Sequence, residues 1–429
     1  MAVNSKSIGL TGFIKGALDG VVVKQETPNK AWFPIGMMIG LIMLSGLAYS
    51  IYQIFIVGHH TLANTKEVPW NLFIVIYAVA ISSLGLSYIA SFGIVLGLKQ
   101  FDLIAKRATF MGIIIIIPGM LSVGLDMRQP LHGIYVFLTP HPTSPLAIVA
   151  ISISIYLALV IVELYVMFKN GFESRLLKVL AIVGFAVLPI VHSYHGAIFG
   201  LAYSRGLWAG PYYSLFFLVS ALYASCAFYI LVTYLTYKMT GLTMTSQLEA
   251  MLKLLGKILL FSLITGAFFL YWKITAATYF HKPSVDVLIS GPYKYNFWIG
   301  EVLVMYVLPI AMIALSRYNI KWVALASLFA LVGLFYVRWN FIIGGQLTPY
   351  LGFVQLTSGG SGAKLATYSP NFTEIAGAVG MIGVMWTAYF LGLKFLPLAK
   401  DEQEGLHMEE AEIKDTDTVG EAEQILRTE

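Results

Sequence analysis

The chain has 429 residues, 58% of them hydrophobic and 11% charged, with a mean hydropathy of +0.78 and a formal net charge of +5. That balance excludes a soluble globular protein, and basic residues scattered among short loops exclude a nucleic-acid-binding patch. A single cysteine, Cys226, excludes an internal disulfide and any cysteine-ligated zinc or iron–sulfur cluster within the chain.

The apolar runs are about 20 residues or longer and lack the period-2 alternation of a membrane barrel, so the expected fold is an all-α polytopic membrane protein. Residues 1–30 read as a cytoplasmic arm with no secretory cleavage pattern, in which Ser7 to Val23 is a candidate interfacial helix. Spans are predicted at Ala31 to Val57, Trp70 to Leu98, Thr109 to Leu125, Leu146 to Phe168 and Val179 to Tyr203. The second half continues with Tyr212 to Tyr237, Ile258 to Phe280, Phe297 to Leu315, Trp322 to Ile343 and Ile375 to Leu396. This transmembrane domain, 31–398, is followed by an acidic tail over 399–429 that reads as solvated.

Alternate loops carry most of the cations: Lys99, Lys106 and Arg107, then Lys169, Arg175 and Lys178, then Lys238, Lys253 and Lys257, then Arg317 and Lys321. The positive-inside rule therefore puts both termini in the cytoplasm. On the outer side the last loop, Gln346 to Phe372, is long and carries a GGSG run at Gly359 to Gly362, a docking surface or a mobile segment. Spans two to five and six to nine run in matching directions, which permits two four-helix bundles with one flanking helix at each end.

Polar residues inside such spans are expensive and carry the functional signal. The fifth span reads LPIVHSYHGAIFGLAYSRGLW from Leu188, placing His192 and His195 at i, i+3 on one helix face beside Tyr194. No carboxylate or cysteine in that stretch completes a metal set, and no facing span offers a deep histidine for haem. Hydrogen bonding to a polar head group or proton transfer remains, with satisfied packing histidines as the alternative. Trp70 and Asn71 open the second span after Pro69 as ordinary boundary residues. Asp126 and Arg128 end the third, placed to pair with each other or to anchor a partner, while His59 and His60 read as solvated. Glu163 lies near the inner end of the fourth span, within reach of water. Lys273, Glu301 and Arg338 fall at comparable depth in spans seven, eight and nine, as structural glue or as part of a proton path.

Several short strings, in order across nearly all the spans, resemble the NrfD family of membrane subunits of polysulfide reductase and related complexes. They are Pro69-Trp70, Asp126-x-Arg128-x-Pro130, Ser144-Pro145, Glu163-Leu164-Tyr165, His192-Ser193, Phe199-Gly200, and Arg205 with Trp208. Further along come Ser220-Ala221, Phe297-Trp298 with Glu301, Pro309, and the stretch from Arg338-Trp339-Asn340 to Gly344-Gly345-Gln346. The ten spans and the GGQ segment resemble the branch of the hydrogenase-2, Dsr and Hdr-like menaquinol-oxidising complexes.

The resemblance implies a quinone-reactive subunit without its own redox metal, taking menaquinone or a related quinone. It also implies an iron–sulfur, ferredoxin-like partner on the outer face, further redox subunits and surrounding membrane lipid. Two-electron quinone chemistry needs proton donors and acceptors at two carbonyl oxygens and an apolar slot for the tail. His192, His195 and Tyr194 supply the first in this reading, with Trp70, Asn71, Asp126 and Arg128 at the mouth of the site. Glu163, or Lys273, Glu301 and Arg338, are candidates for the proton path. A secondary transporter and a purely structural anchor are the rival readings. Pro118-Gly119 and Pro189 are the candidate helix breaks that a transporter would use.

Overall fold

Ten helices of 20 to 34 residues, each long and apolar enough to cross a bilayer, make up the computed structural model, which describes residues 21, 27–280, 282–348 and 365–398. We number them α1 (Trp32–Val57), α2 (Leu72–Leu96), α3 (Lys99–Asp126), α4 (Pro145–Asn170) and α5 (Arg175–Gly200). The remainder are α6 (Tyr212–Thr240), α7 (Ser246–Tyr279), α8 (Asn296–Leu315), α9 (Ile320–Leu347) and α10 (Phe372–Phe395). Among the described residues there is no strand, and the chain is a multi-pass, all-α integral membrane protein. The interfacial-helix expectation for Ser7 to Val23, apart from Val21, the GGSG run and the acidic tail lie outside the described residues.

Neighbouring helices in the first half pack as α2–α3, α3–α4, α4–α5 and α5–α2, and in the second as α6–α7, α7–α8, α8–α9 and α9–α6. The two groups meet where α6 lies against α2 and α5, and α9 against α2. Helix α10 packs most closely on α1 and also touches α3 and α2. The α1–α10 seam is built on small residues: a Cβ on Gly380 would stand 2.4 Å from the Leu47 backbone nitrogen, and one on Gly46 2.6 Å from the Ala376 carbonyl oxygen. Close backbone approach replaces the hydrophobic drive that lipid removes. Outward faces carry Leu41, Ile42, Phe261 and Phe268, all well exposed, as a lipid-facing surface requires.

Several helices run further than hydropathy predicts. Helix α7 begins at Ser246, capped by the Thr245 hydroxyl, which accepts from the Leu248 N–H at 3.0 Å. Its added turns are amphipathic: Leu248, Met251, Leu252 and Leu255 are buried, while Lys253 pairs with Glu249 at 2.7 Å. A hydropathy window averages those faces and misses them. Arg107, expected in a loop, is 1% exposed within α3, beside the Tyr237 ring at 5.5 Å.

The helix irregularities also fall elsewhere than expected. Pro118 and Pro189 lie inside uninterrupted helices. The interruption is in α2, where a single 3₁₀ turn over Ser83–Gly85 lies at the α2–α6 contact. A Cβ on Gly85 would stand 2.6 Å from the Ala221 carbonyl oxygen, so glycine lets the two backbones meet. The Ser225 hydroxyl sits 3.2 Å from the Ser83 carbonyl oxygen and 2.6 Å from that of Ala221, giving the loosened turn a donor. Two further stretches are wound as wide π-helix: Gln53–Val57 at the end of α1, and Asn296–Val307 of α8, the segment that carries Glu301.

Candidate functional site

Helix α5 holds His192 and His195 on its buried side, 0% and 2% exposed. The His195 Nδ1 lies 2.6 Å from the Val191 carbonyl oxygen, which can only accept, so Nδ1 carries the proton and Nε2 is left to accept. The hydroxyl of Tyr77 on α2 donates to that Nε2, and the two rings lie 5.5 Å apart. His192 differs: both of its ring nitrogens are buried and, among the described residues, neither has a hydrogen-bond partner. A buried imidazole without a partner loses its hydration uncompensated, about 1–3 kcal/mol, so it marks a place where a water or ligand belongs. Tyr194 is half-buried and forms none of the hydrogen bonds at this site. Tyr77 takes the place at His195 that Tyr194 was expected to share; a tyrosine in FIVIYAVA gives no sequence signal.

Aromatic rings pack together above the histidines. Phe217 of α6 stacks on His195 at 6.5 Å, and Phe199 contacts Trp70, Trp208 and Phe341 at 5.3, 5.2 and 4.4 Å. Trp70 stacks on Trp208 at 5.4 Å, and the Trp208 indole N–H donates to the Phe341 carbonyl at 2.7 Å. A Cβ on Gly345 would fall 2.0 Å from that indole nitrogen, which is why the GGQ segment requires glycine there.

Gln346 and Arg205 close the roof. The Gln346 side chain accepts from the Trp70 N–H at 2.9 Å and donates to the Trp70 carbonyl at 3.0 Å. Arg205, 4% exposed, donates to the Gln346 and Thr348 carbonyls at 2.6 and 3.0 Å and to that of Glu67 at 3.0 Å. It thus ties the segment before α2 to the end of α9 and is a residue whose role the sequence left unread.

The mouth residues separate into two kinds. Asn71 is fully buried, caps α2 by accepting from the Phe73 N–H at 2.8 Å, and donates to Asn64 at 2.8 Å. Asn64 in turn donates to Asp126 at 3.2 Å. Arg128 is exposed and, among the described residues, makes no ion pair with Asp126, which instead belongs to this amide chain. His59, expected to be solvated, lies with Nε2 3.0 Å from the Asp126 carbonyl oxygen. Next to it Tyr368 donates to Glu374 at 2.5 Å and accepts from the Leu72 N–H at 2.8 Å. Burial first, then the Glu374 carboxylate, hold the Tyr368 hydroxyl well above its ordinary ionisation range.

Glu163 is 2% exposed rather than water-accessible. It lines a narrow cleft with Ser87, Tyr156 and Gly184, and among the described residues its Oε1 has no hydrogen-bond partner. In the second group of helices Lys273, Glu301 and Arg338 do not form ion pairs with one another among the described residues. Arg338 donates to Ser82 at 2.7 Å and to Ser220 at 2.5 Å and lies 4.0 Å from the Phe217 ring. Glu301 accepts from Asn340 at 2.8 Å, and Lys273 Nζ stands 4.8 Å from the Tyr213 ring. Among the described residues no three His, Cys, Asp or Glu side chains gather as a metal site.

Two buried histidines under a layer of aromatic side chains, set inside ten membrane helices, define the class: a polytopic membrane protein with a polar centre in its first group of helices. Residues 60–350 match the family described as polysulphide reductase, NrfD, and the chain belongs to that family. It is 25% identical to a selenate reductase subunit of Mesobacillus selenatarsenatis over 88% of this chain and 96% of that protein. It is 24% identical to the Hdr-like menaquinol oxidoreductase integral membrane subunit of Archaeoglobus fulgidus, over 83% and 92% of the two chains. A putative dimethyl sulfoxide reductase membrane subunit of Halobacterium salinarum is 22% identical over 87% and 92%.

Proposed function

We propose that this chain is the quinone-reactive membrane subunit of a multi-subunit oxidoreductase and binds menaquinol or a related quinone between α2, α5 and α6. The observation that carries the reading is His192, a deep imidazole with two orphaned nitrogens beside the Tyr77–His195 pair. Family membership supports it, as does the likeness to the menaquinol oxidoreductase subunit of Archaeoglobus. When bound, the quinone supplies a two-electron, two-proton couple. The chain's own residues do the rest. His192 holds or accepts a proton at the head group, and the Tyr77 hydroxyl, its own proton given to His195, accepts from a second quinol hydroxyl. Phe199, Phe217 and Phe341 supply apolar walls, and the Trp70–Gln346–Arg205 roof excludes water on the side that loop charge assigns to the outside. An iron–sulfur, ferredoxin-like subunit docks on that face, near Trp70, Asp126 and exposed Arg128, and exchanges electrons with the site.

The proton route we assign runs inward from His192 past Leu188, one turn below it on α5, to the buried cluster of Ser87, Tyr156 and Glu163 on α2 and α4. Glu301 and Arg338, each held by a separate neutral partner, serve to brace the second group of helices.

The test is mass spectrometry of lipid extracted from the purified complex, with quinol-dependent reduction of the partner clusters assayed before and after His192→Ala. Stoichiometric quinone, and a loss of reduction by about a hundredfold or more in an assembled complex, is expected. No quinone, or full activity in the variant, overturns the reading and returns the chain to an anchoring role.

A further inference from the structure

A second cavity, of about 280 Å³, lies between the start of α6, the end of α7 and the short helix Pro283–Ile289. Its walls include Tyr212, Tyr213, Phe269, Trp272, Lys273 and Lys282. It is separate from the histidine site.

Its charge is one-sided. Two lysines line it and, among the described lining residues, no aspartate or glutamate does. Lys273 lies six residues before the end of α7, roughly 9 Å along the helix at 1.5 Å per residue. At that depth an ammonium needs a counter-charge, or it extends along its stem to water. Lys273 makes no ion pair among the described residues: its Nζ stands over the Tyr213 and Tyr212 rings at 4.8 and 5.4 Å, and Glu301, the carboxylate whose charge it feels, is bonded to Asn340. The hydroxyls of Tyr212 and Tyr213 are buried and partnerless, so two more donors stand in the same wall. Tyr213 is 2% exposed, while Trp272 and Phe280 at the rim are 53% and 68% exposed, as aromatic side chains are at a membrane boundary.

Two cations and two hydroxyl donors set in an apolar wall that opens at the boundary match one chemistry, an anionic oxygen cluster carrying a hydrocarbon tail. We propose that this cavity binds an anionic phospholipid, its phosphate held by Lys273, Lys282 and the hydroxyls of Tyr212 and Tyr213, and its chains lying along Phe269 and Trp272. A quinone ring would use Lys273 and a hydroxyl but gives the second lysine no work. A free phosphate would leave the aromatic walls unused. This inference does not depend on the quinone reading.

The test uses the full chain purified in detergent, with phosphatidylglycerol, phosphatidylcholine or inorganic phosphate added at equal concentration. Native mass spectrometry and thermal unfolding are read for wild type, Lys273→Gln and Lys282→Gln. Phosphatidylglycerol alone should persist as an adduct and raise the Tm, and each substitution should weaken its retention about tenfold or more, the effect of one lost charge-assisted contact. Lys282→Gln, outside the membrane helices, keeps the test informative if Lys273→Gln does not fold. His192→Ala should leave the adduct unchanged. Equal effects of phosphatidylcholine, displacement of the lipid by inorganic phosphate or by a quinone analogue, or undiminished retention in both lysine variants would overturn the proposal.

Discussion

The histidine face of α5 and the charged face of the second helix group solve the same problem in opposite ways. Around Arg338, Glu301 and Lys273 each charge in the membrane is met by a neutral group: serine hydroxyls, an asparagine amide or an aromatic ring. Among the described residues the three form no ion pair with one another, although they share one set of helices. On α5 one histidine is satisfied by a tyrosine and a carbonyl, and the other is left with nothing. Charges held by hydrogen bonds rigidify a fold, whereas a buried side chain none of whose polar atoms is bonded marks a place for a water or a ligand. The contrast assigns bracing to Arg338 and Glu301 and ligand contact to His192.

The seam joining the two faces should be the most sensitive point. A Cβ on Gly196 would stand 2.2 Å from the Tyr213 carbonyl oxygen, a backbone atom that cannot swing aside. Gly196→Ala is expected to cost about 3 kcal/mol or more, read as lowered unfolding resistance in bicelles. It should also weaken quinol-dependent reduction, because α5 must move with both histidines. A variant as stable as wild type would show that the seam is soft and the contrast between the faces accidental.

A comparable effect is expected where Arg338 meets α2 and α6. Ser82→Ala with Ser220→Ala removes every hydrogen bond that this buried guanidinium makes among the described residues. Charged hydrogen bonds are worth about 1.5–3 kcal/mol each, so the double variant should unfold markedly earlier. Electron transfer measured on the fraction that remains folded should persist, since these serines brace and do not touch the head group. If activity falls while stability holds, Arg338 belongs to the chemistry and not to the scaffold.

The span count and order were legible because about 20 consecutive apolar residues leave few alternatives. The histidine pair was legible because imidazoles stand out in hydrocarbon. What stayed hidden was hidden for physical reasons. Tyr77 looks like any boundary aromatic until α2 and α5 are brought together, and Arg205 looks like a loop cation until three carbonyls surround it. Arg107 and the first turns of α7 escape a hydropathy window because their faces average out. Pro118 and Pro189 mislead as breaks, since neighbouring helices in a membrane resatisfy what proline frees, and the actual interruption at Ser83–Gly85 is written in small residues that pack against α6.

Tyr77→Phe sharpens the contrast at a single atom. It deletes the donor to His195 Nε2 while keeping the ring, so His195 is left with only its carbonyl partner. The expected cost is about 1–2 kcal/mol in stability, with a loss of quinol turnover near tenfold if the hydroxyl orients the substrate. The pH profile of turnover separates this from simple loosening: freed from its donor, Nε2 becomes open to protonation, and the acid limb of the profile should shift. An unmoved profile with unchanged turnover would leave Tyr77 as a packing residue.

The smallest effect is a control on the other side of the argument. Gly124 in α3 has no heavy atom within 4 Å of where its Cβ would stand. Gly124→Ala therefore meets no neighbour and only restricts the chain, and a helical alanine is favoured over glycine by roughly 0.5–1 kcal/mol. The variant should be slightly more stable than wild type, with unaltered quinol-dependent reduction. Set beside Gly196→Ala, the same chemical change gives opposite signs according to whether a backbone stands in the way. If both glycines respond alike, close packing does not set the register between the two helix groups, and the geometry around His192 must be fixed by the roof of Trp70, Gln346 and Arg205 instead.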